Sequence, residues 1–287
     1  MVSIVIVTYN SESDIKDCLN SLSKYVKKEN FQVILVDNGS KDGTIKFVKK
    51  FYPRVTIHKN RKNLGFAKAV NIGLRKVRGD ALLLNPDTIL NKGLLEKLSE
   101  ISKIGGIAAV APKIMNFDGS IQPSCGNFPS AINIFLDRIP VIRDLFPISE
   151  IIRKKAFYEK KQKVNWASGT CLYLTKKGLE VVGELDEDYF MYLEEVDWCY
   201  RAAKRHLKII YTPKASIYHK DQGKSPTYSP AKFFNMRKGF ITFFEKYNSE
   251  LDLFLFKILL KVELFFKMIF VSKNSKWGEI YKKTNDL

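Results

Sequence analysis

The chain has 287 residues, of which 45% are hydrophobic and 13% aromatic, and its formal net charge is +18. This composition excludes a disordered chain and predicts one main α/β domain with an appendage, or two modest domains. The charge favours a polyanionic neighbour: nucleic acid, an anionic membrane surface or a phosphate-bearing substrate. The four cysteines form no CxxC pair, which argues against a zinc site and a disulfide framework and favours the reducing cytosol.

Short β-branched runs alternate with helical patterns over the first half of the chain. This alternation predicts βαβ units and a largely parallel sheet, with strands at 3–7, 33–36, 55–57, 81–84 and 107–111. The first run lacks a basic leader and a small-residue cleavage site, so we expect no signal peptide. No GxGxxG or GxxxxGKS pattern follows it, which argues against a dinucleotide oxidoreductase and a P-loop enzyme.

Polar turns follow the first two predicted strands, with the sequence TYNS at 8–11 and DNGS at 37–40. Ligands of open α/β sheets bind at the carboxyl ends of the strands, so both turns are candidate binding residues. Simple helix capping is the alternative for each turn taken alone.

The fourth predicted strand ends in Asn85, Pro86 and Asp87. Because proline restricts the turn, the Asp87 carboxylate is presented at the strand end with little conformational freedom. That arrangement suits Mg²⁺ or Mn²⁺, a hard cation that binds carboxylates and substrate phosphates. The same three residues also form ordinary turns.

Three carboxylates, those of Glu194, Glu195 and Asp197, stand at the start of a predicted helix. A structural interpretation exists, because acids complement the helix dipole and Asp197 is four residues before Arg201. A functional one also exists, because crowding of Glu194 and Glu195 in a partly buried place raises one pKa and favours a general base. His219 follows a strand-like run; a lone histidine is more often structural than a ligand.

Two further segments have open interpretations. Residues 113–165 form an irregular, basic and partly apolar stretch, which is either a flexible flap or a solvated surface excursion. Residues 251–271 are very apolar, but Lys257, Lys261, Glu263 and Lys267 argue against a spanning helix. On a helical wheel these charges fall on one arc and leave a broad apolar face. That face either lies in a membrane interface or packs on the domain or on a partner subunit.

The order of six motifs resembles that of the family-two glycosyltransferases of the GT-A fold, particularly the rhamnosyltransferase-like branch. The resemblance covers roughly residues 2 to 245 and implies a Rossmann-like catalytic domain at 1–245, with 113–165 on the acceptor side and a helical tail at 246–287. The motifs are VSIVIVTYNS, VILVDNGSKDGT, NLGFAKAVNIGL, GDALLLNPDT, ASGTCLYLTKKGLEVVGELDEDYFMYLEEVDWCYRA and IIYTPKASIYH.

The resemblance also implies roles for single residues. The pocket for the nucleotide base is formed by Thr8, Tyr9, Asn10 and Asp37, with Asp37 accepting from a uracil or thymine imide. The nucleotide-sugar site is lined by Asn63, Gly65 and Phe66, and the Asn85 turn brings Asp87 to the metal on the diphosphate. His219 completes the metal site, and the sugar and acceptor are bordered by Trp166, Ser168 and Gly169.

The resemblance assigns the general base less directly than it assigns the other residues. Where the branch usually has Glu-Asp-Val-Asp, this chain has Glu194-Glu195-Val196-Asp197, so a longer Glu stands at the position expected for a catalytic Asp. We assign the base to Glu195 and keep Glu194 and Asp197 as candidates, since Glu can perform the same proton transfer.

We therefore expect an inverting transfer from a dTDP- or UDP-sugar, with rhamnose favoured, to a hydroxyl of a saccharide or polyprenyl-linked saccharide in cell-surface glycan synthesis. The expected cofactor is Mg²⁺ or Mn²⁺, and the expected location is the cytoplasm, including peripheral contact with the membrane; a homodimer stays open. The alternatives are a basic nucleic-acid-binding or scaffold protein and a nucleotidyltransferase. The chain has no recognised nucleic-acid module, so we expect no nucleic-acid partner.

Overall fold

A computed structural model describes residues 2–26, 31–137, 139, 141, 150–220, 229–247, 250–272 and 275–287. The strands in these ranges are β1 (Val2–Thr8), β2 (Phe31–Asp37), β3 (Thr56–Lys59), β4 (Ala81–Leu84), β5 (Thr88–Leu90), β6 (Ile107–Met115), β7 (Cys125–Gly126), β8 (Gln162–Val164), β9 (Trp166–Ala167), β10 (Cys171–Leu174) and β11 (Lys208–His219). The helices are α1 (Glu12–Tyr25), α2 (Thr44–Phe51), α3 (Phe66–Leu74), α4 (Leu94–Ser102), α5 (Ala131–Leu136), α6 (Lys176–Val182), α7 (Glu194–Lys204), α8 (Pro230–Tyr247), α9 (Glu250–Ile269) and α10 (Lys276–Asn285).

The strands build one mixed, mostly parallel sheet in the order β3-β2-β1-β4-β10-β6-β11-β5, with β8 beside β11. The β3, β2, β1 and β4 strands run parallel, as the alternation of strands and helices predicts. Antiparallel β10 separates β4 from the parallel pair β6 and β11, and β5 pairs antiparallel with β11. This confirms the expected α/β fold and brings the end of β11 beside the turn that follows β4.

Both faces of the sheet are covered, because alternate side chains of a strand point to opposite faces. In β1, Ile4 and Ile6 belong to the core on the side of α1 and α4, whereas Val5 belongs to the core shared with α3 and α7. In β4, Leu82 and Leu83 divide in the same way. The buried sheet leaves only the strand ends for polar chemistry, which is where open sheets bind ligands.

The segment 113–165 contains regular elements in its described part: the end of β6, then β7, α5, a 3₁₀ helix at Lys155–Glu159 and β8. A capping box starts α5, since the Ser130 hydroxyl accepts from the Asn133 N–H and the Asn133 side chain accepts from the Ser130 N–H. Residues 138, 140 and 142–149 of this predicted flap lie outside the described residues.

The C-terminal region forms three helices, and α9 packs against both α8 and α10. Phe256, Leu260 and Leu264 of α9 are buried in the same core cluster as β10 and α7. None of the described helices is long and apolar enough to cross a membrane. The charges of α9 share one arc of the helical wheel, and this arc faces the protein: Glu263 pairs with Arg237 of α8 at 3.0 Å, while Lys261 at its edge stays exposed.

Candidate active site

The turns after β1 and β2 are joined to each other. Thr8 and Asp37 are register partners, and the Thr8 hydroxyl donates to Asp37 Oδ1 over 3.3 Å. The second carboxylate oxygen of Asp37 accepts from the Ser40 N–H, and Ser40 Oγ accepts from the Asn10 N–H over 2.9 Å. Asp37 is therefore buried beneath the turns, whereas the ring of Tyr9 is 50% exposed.

A second loop, at the start of α3, is held by amides. The Asn38 side chain donates to Asn63 Oδ1 and to the Gly65 carbonyl, and Asn63 Oδ1 also accepts from the Gly65 N–H over 2.9 Å. Gly65 has φ +89°, and a Cβ atom added there would lie 2.5 Å from the Phe190 carbonyl oxygen. Phe66 donates its N–H to that carbonyl over 2.6 Å. The loop predicted to line the donor site is thus fixed to the segment preceding α7.

The NPD turn is anchored on two sides. Asn85 donates its N–H to the Thr170 carbonyl over 2.9 Å, and the Lys220 N–H donates to the Asp87 carbonyl over 2.8 Å. The Thr88 hydroxyl closes the turn on the Asn85 carbonyl over 2.7 Å. The backbone on both sides of Asp87 is therefore fixed, and its carboxylate can be aimed at one place.

Asp87 and His219 face each other. Asp87 Oδ1 lies 3.3 Å from His219 Nε2, and both atoms are buried without a hydrogen-bond partner. The other ring nitrogen, Nδ1, lies 2.9 Å from Gln122 Oε1. With the amide oxygen in that place, Nδ1 carries the hydrogen and Nε2 presents its lone pair toward the carboxylate.

Two acceptors that face each other this closely fit a bound cation. Neighbouring ligands of an octahedral Mg²⁺ with bonds of 2.0–2.1 Å are about 3 Å apart, close to the separation observed. Within the described residues no group of three or more His, Cys, Asp or Glu side chains is placed to hold a metal. The pair thus fits an ion that also takes oxygen ligands from phosphates and water.

The start of α7 has unusual backbone geometry. Tyr192 and Leu193 both have φ +73°, a conformation that is rare for residues with side chains. The carbonyl of the nearby Phe190 meets Gly65, and a Cβ atom added at Gly239 of α8 would lie 3.1 Å from the Tyr192 carbonyl oxygen. The lack of a side chain at Gly65 and at Gly239 therefore leaves room for this corner of the chain.

Asp197 has partners for both of its carboxylate oxygens. Oδ2 accepts from Arg201 Nε over 2.7 Å, the predicted i,i+4 pair, and Oδ1 accepts from the Tyr247 hydroxyl over 2.6 Å. Arg201 also donates to the carbonyls of Val182 and Glu184. Asp197 has no exposed surface, so in this structure it joins α7 to α8 and no acceptor hydroxyl can reach it.

Glu194 and Glu195 differ from Asp197 because each has a buried oxygen, Oε2, without a partner. Burial raises the pKa of Glu194 well above its ordinary value, and the charge of Glu195 raises it further. Burial also raises the pKa of Glu195, against the effect of backbone hydrogen bonds that include one from Gly169. Glu194 is only 4% exposed, whereas Glu195 is half-buried and is the accessible member of the pair.

Gly169 connects the regions described above. A Cβ atom added there would lie 3.8 Å from both Glu195 Cβ and Phe66 Cε1, and the next residue, Thr170, holds the NPD turn. Trp166 is 94% buried instead, with its ring against Gly126 and its Nε1–H donating to the Asn127 carbonyl over 2.8 Å. The structure thus brings the residues of the predicted donor loop, the NPD turn and Glu195 together around Gly169, whereas Trp166 contacts Gly126 and Asn127.

Three residues near this site belong to no sequence motif and were not predicted. Gln122 positions His219, and Tyr247 donates to Asp197 from the last turn of α8. Glu150 is 8% exposed; burial first, and then the charge of Asp137, raises its pKa to about 8, with a further contribution from Glu195. The only sequence signal for Glu150 is an acid that closely precedes the basic residues 153–155.

Comparisons with known proteins identify the family of the chain. The family model described as Glycosyl transferase family 2 matches residues 3–183. The chain is 31% identical to the N-acetylglucosaminyl-diphospho-decaprenol L-rhamnosyltransferase of Mycobacterium tuberculosis in an alignment 233 residues long, and the match covers 76% of each chain. It is 27% identical to the dTDP-rhamnosyl transferase RfbF of Shigella flexneri, over 83% of this chain and 78% of that one.

Solved structures share the fold at low sequence identity. A crystal structure of GalNAc-T7 with UDP, GalNAc and Mn²⁺ superposes with a TM-score of 0.64 at 15% identity, over 99% of this chain and 54% of that chain. The family match favours a sugar-transferring enzyme over the nucleic-acid-binding and nucleotidyltransferase alternatives. The chain belongs to the family-two glycosyltransferases, in the rhamnosyltransferase-like branch, and has their GT-A fold.

Proposed function

We propose that this glycosyltransferase, which as a family member uses a nucleotide-sugar donor, is metal-dependent and inverting. The Asp87–His219 pair is its proposed metal site. The observation that supports this most directly is the 3.3 Å approach of two buried acceptor atoms that lack hydrogen-bond partners. Leaving such atoms unpaired costs free energy, so a cation that both of them bind accounts for their placement.

Asp87 and His219 would hold Mg²⁺ or Mn²⁺. When bound, the ion would stabilise the negative charge that develops on the departing nucleoside diphosphate. The contribution of the chain is to fix the two ligands: Gln122 orients the His219 ring, and Thr170 and Lys220 fix the turn that carries Asp87. Fixed ligands avoid a reorganisation cost during the reaction.

Glu195 is the proposed general base. The carboxylate of this partly exposed residue would accept the proton of the acceptor hydroxyl as that hydroxyl oxygen forms a bond to the anomeric carbon, on the face opposite the departing diphosphate. A raised pKa brings a carboxylate closer to the operating pH, which favours general base catalysis. Glu194, more deeply buried, would stay protonated beside it, and Asp197 would serve to position α7.

The turns after β1 and β2 are proposed to form the base pocket. Tyr9 offers an exposed ring on which a base can stack, and Asn10 borders it. Asp37 is covered by Thr8 and Ser40, so a contact between its carboxylate and an imide N–H requires one of these to move. The loop of Asn63, Gly65 and Phe66 would border the sugar, as would Gly169.

The relatives suggest the substrates. One acts on a diphospho-decaprenol-linked N-acetylglucosamine and the other is a dTDP-rhamnosyl transferase. We therefore propose dTDP-rhamnose as donor and a polyprenyl-diphosphate-linked saccharide as acceptor, with the enzyme working at the cytoplasmic face of the membrane that carries this lipid.

The test is thermal stabilisation of the purified chain by dTDP, UDP and GDP, each with Mn²⁺ and with EDTA. A ligand that binds only the folded state raises the melting temperature. At a ligand concentration of one hundred times its Kd, it adds about 2.7 kcal/mol to the free energy of unfolding. We expect dTDP with Mn²⁺ to stabilise most and EDTA to remove most of the effect. Equal stabilisation in EDTA would overturn the metal site, and a larger effect of GDP would overturn the proposed donor.

A further inference from the structure

The side of α9 that faces away from the protein is apolar along its whole length. We define this outer face as Leu251, Phe254, Ile258, Val262, Phe265 and Ile269, which recur every three or four residues and are 43% to 65% exposed. Residues so spaced share one side of a helix. Contiguous apolar patches of this kind mark an interaction surface on a soluble protein.

The charges that would normally face solvent on such a helix are turned inward. Glu263 accepts from Arg237 of α8 over 3.0 Å and pairs with Lys267 over 3.2 Å. Arg237 and Lys267 both lie over the ring of Phe233, at 4.1 and 4.8 Å from its centroid. Because both ionic and apolar contacts hold the inner side of α9, the outer face is not a misplaced core surface.

Positive charge borders the outer face. Lys257 and Lys261 stand one turn apart on α9, at its edge, and Lys261 is exposed. The chain as a whole carries +18. Two copies of so basic a chain repel each other at long range, whereas an anionic lipid surface attracts both the lysines and the whole molecule.

We propose that the outer face of α9 docks on an anionic membrane, with the helix lying in the interface plane. A helix of 20 residues at 1.5 Å per residue presents about 30 Å of apolar side chains to the acyl boundary. Lys257 and Lys261 extend toward the headgroups at its edge, which is the usual place for lysines of an interfacial helix.

Docking in this way places the predicted acceptor side of the molecule near the lipid. Asp252 of α9 accepts from the Ala131 N–H at the start of α5 over 2.9 Å, so α5 is attached to α9. Ile132 and Phe135 of α5 are themselves 67% and 45% exposed. This consequence rests on the proposed function, because it presumes a lipid-linked acceptor; the docking itself does not.

The experiment is cosedimentation of the full chain with two kinds of vesicle, in the absence of donor and metal. One kind is phosphatidylcholine alone, and the other is phosphatidylcholine with about 30% phosphatidylglycerol, an anionic lipid. The double variant Ile258→Ser, Phe265→Ser removes apolar area from the outer face. The matched control, Phe51→Ser, Ile104→Ser, alters exposed residues of the same types on another part of the fold. A second variant, Lys257→Gln, Lys261→Gln, removes the flanking charge alone.

We expect the wild type and the control to bind the anionic vesicles and the outer-face variant to lose binding at least tenfold. Removal of each lysine should weaken binding to anionic vesicles about fivefold. Absence of sedimentation, or full binding by the outer-face variant, would overturn the proposal. A wild-type dimer in light scattering that the outer-face variant converts to monomer would assign the face to a second copy instead. If the chain binds vesicles but is not stabilised by any nucleotide, the proposed function fails and the docking proposal stands.

Discussion

Asp87 and Asp197 are both acids next to a basic side chain, yet their surroundings differ. Asp197 has two short hydrogen bonds, to Arg201 and Tyr247, and no exposed surface. Asp87 keeps one oxygen unpaired toward His219, and its side chain is 30% exposed. A satisfied acid contributes to folding, whereas an unsatisfied one at a strand end is placed for a ligand.

The comparison is tested most severely at Asp87. Changing Asp87→Ala should lower metal-dependent transfer by about 10³–10⁴-fold, because one of two protein ligands to the ion is lost. Stability should change little, since the carboxylate makes no hydrogen bond through Oδ1. Steady-state transfer assays and thermal melts check both parts. A large loss of stability with transfer retained would show that Asp87 stabilises the fold and does not bind the metal.

Glu195 is the second test. Changing Glu195→Gln should lower transfer by about 10²–10⁴-fold, since the amide cannot accept the proton, while stabilisation by the nucleotide persists. Because burial raises the pKa of Glu195, wild-type transfer should fall as pH drops through that raised pKa. Glu194→Gln is the comparison variant, and it should retain most of the transfer rate. If the two variants behave in the opposite way, the base is Glu194.

Asp197 should respond in stability. Changing Asp197→Asn breaks a buried ion pair and should cost about 3–5 kcal/mol of unfolding free energy, with transfer per folded molecule nearly unchanged. The control Glu180→Gln removes another i,i+4 pair, with Lys176, that is exposed and should cost less than about 1 kcal/mol. Denaturant melts measure both. Equal costs would show that burial of the Asp197 pair does not matter.

Gln122 has a smaller expected effect, on metal affinity. Gln122→Ala should weaken Mn²⁺ binding in the presence of dTDP by about 10–100-fold, because the His219 ring loses the acceptor that orients it. Calorimetric titration with Mn²⁺ provides the measurement. Gln122→Glu, which retains an acceptor oxygen, should lose less. Wild-type affinity in both variants would leave Gln122 without a role in the site.

The smallest effect is expected at Glu150. Its pKa of about 8, against an ordinary value of 4.5, means that the folded chain holds a proton that the unfolded chain releases, so stability falls as pH rises through that window. Glu150→Gln should therefore match the wild type near pH 5 and exceed it near pH 9, by about 1 kcal/mol or more, or about 2–4 °C. The control Glu159→Gln, at an exposed acid, should show no such difference.

Much of the sheet followed from local pattern. The runs at 3–7, 33–36, 81–84 and 107–111 all lie in strands, and the third predicted strand, at 55–57, is shifted to Thr56–Lys59. The short strands β5, β7 and β9 could not be predicted, because two or three residues carry no periodicity. Their partners are distant in sequence, so only the folded chain defines them.

Motifs named only part of the candidate site. The pairing of Asp87 with His219 came from family resemblance, and the structure places the two residues together. Gln122 and Tyr247 were missed because their roles depend on contacts across 97 and 50 residues. The outward direction of the apolar face of α9 was also beyond the sequence, since a helical wheel defines faces and not which one is covered.

The left-handed corner at Tyr192 and Leu193 makes the geometry of the candidate site depend on distant parts of the chain. Two non-glycine residues in this conformation cost about 1–3 kcal/mol each, so a peptide with this sequence would relax to ordinary backbone angles. Here the donor loop at Gly65 and the C-terminal helix at Gly239 enclose the corner from different sides. The direction of Glu195 therefore depends on segments 174 residues apart in the sequence, so a larger residue at Gly239 would disturb a candidate base on a different helix.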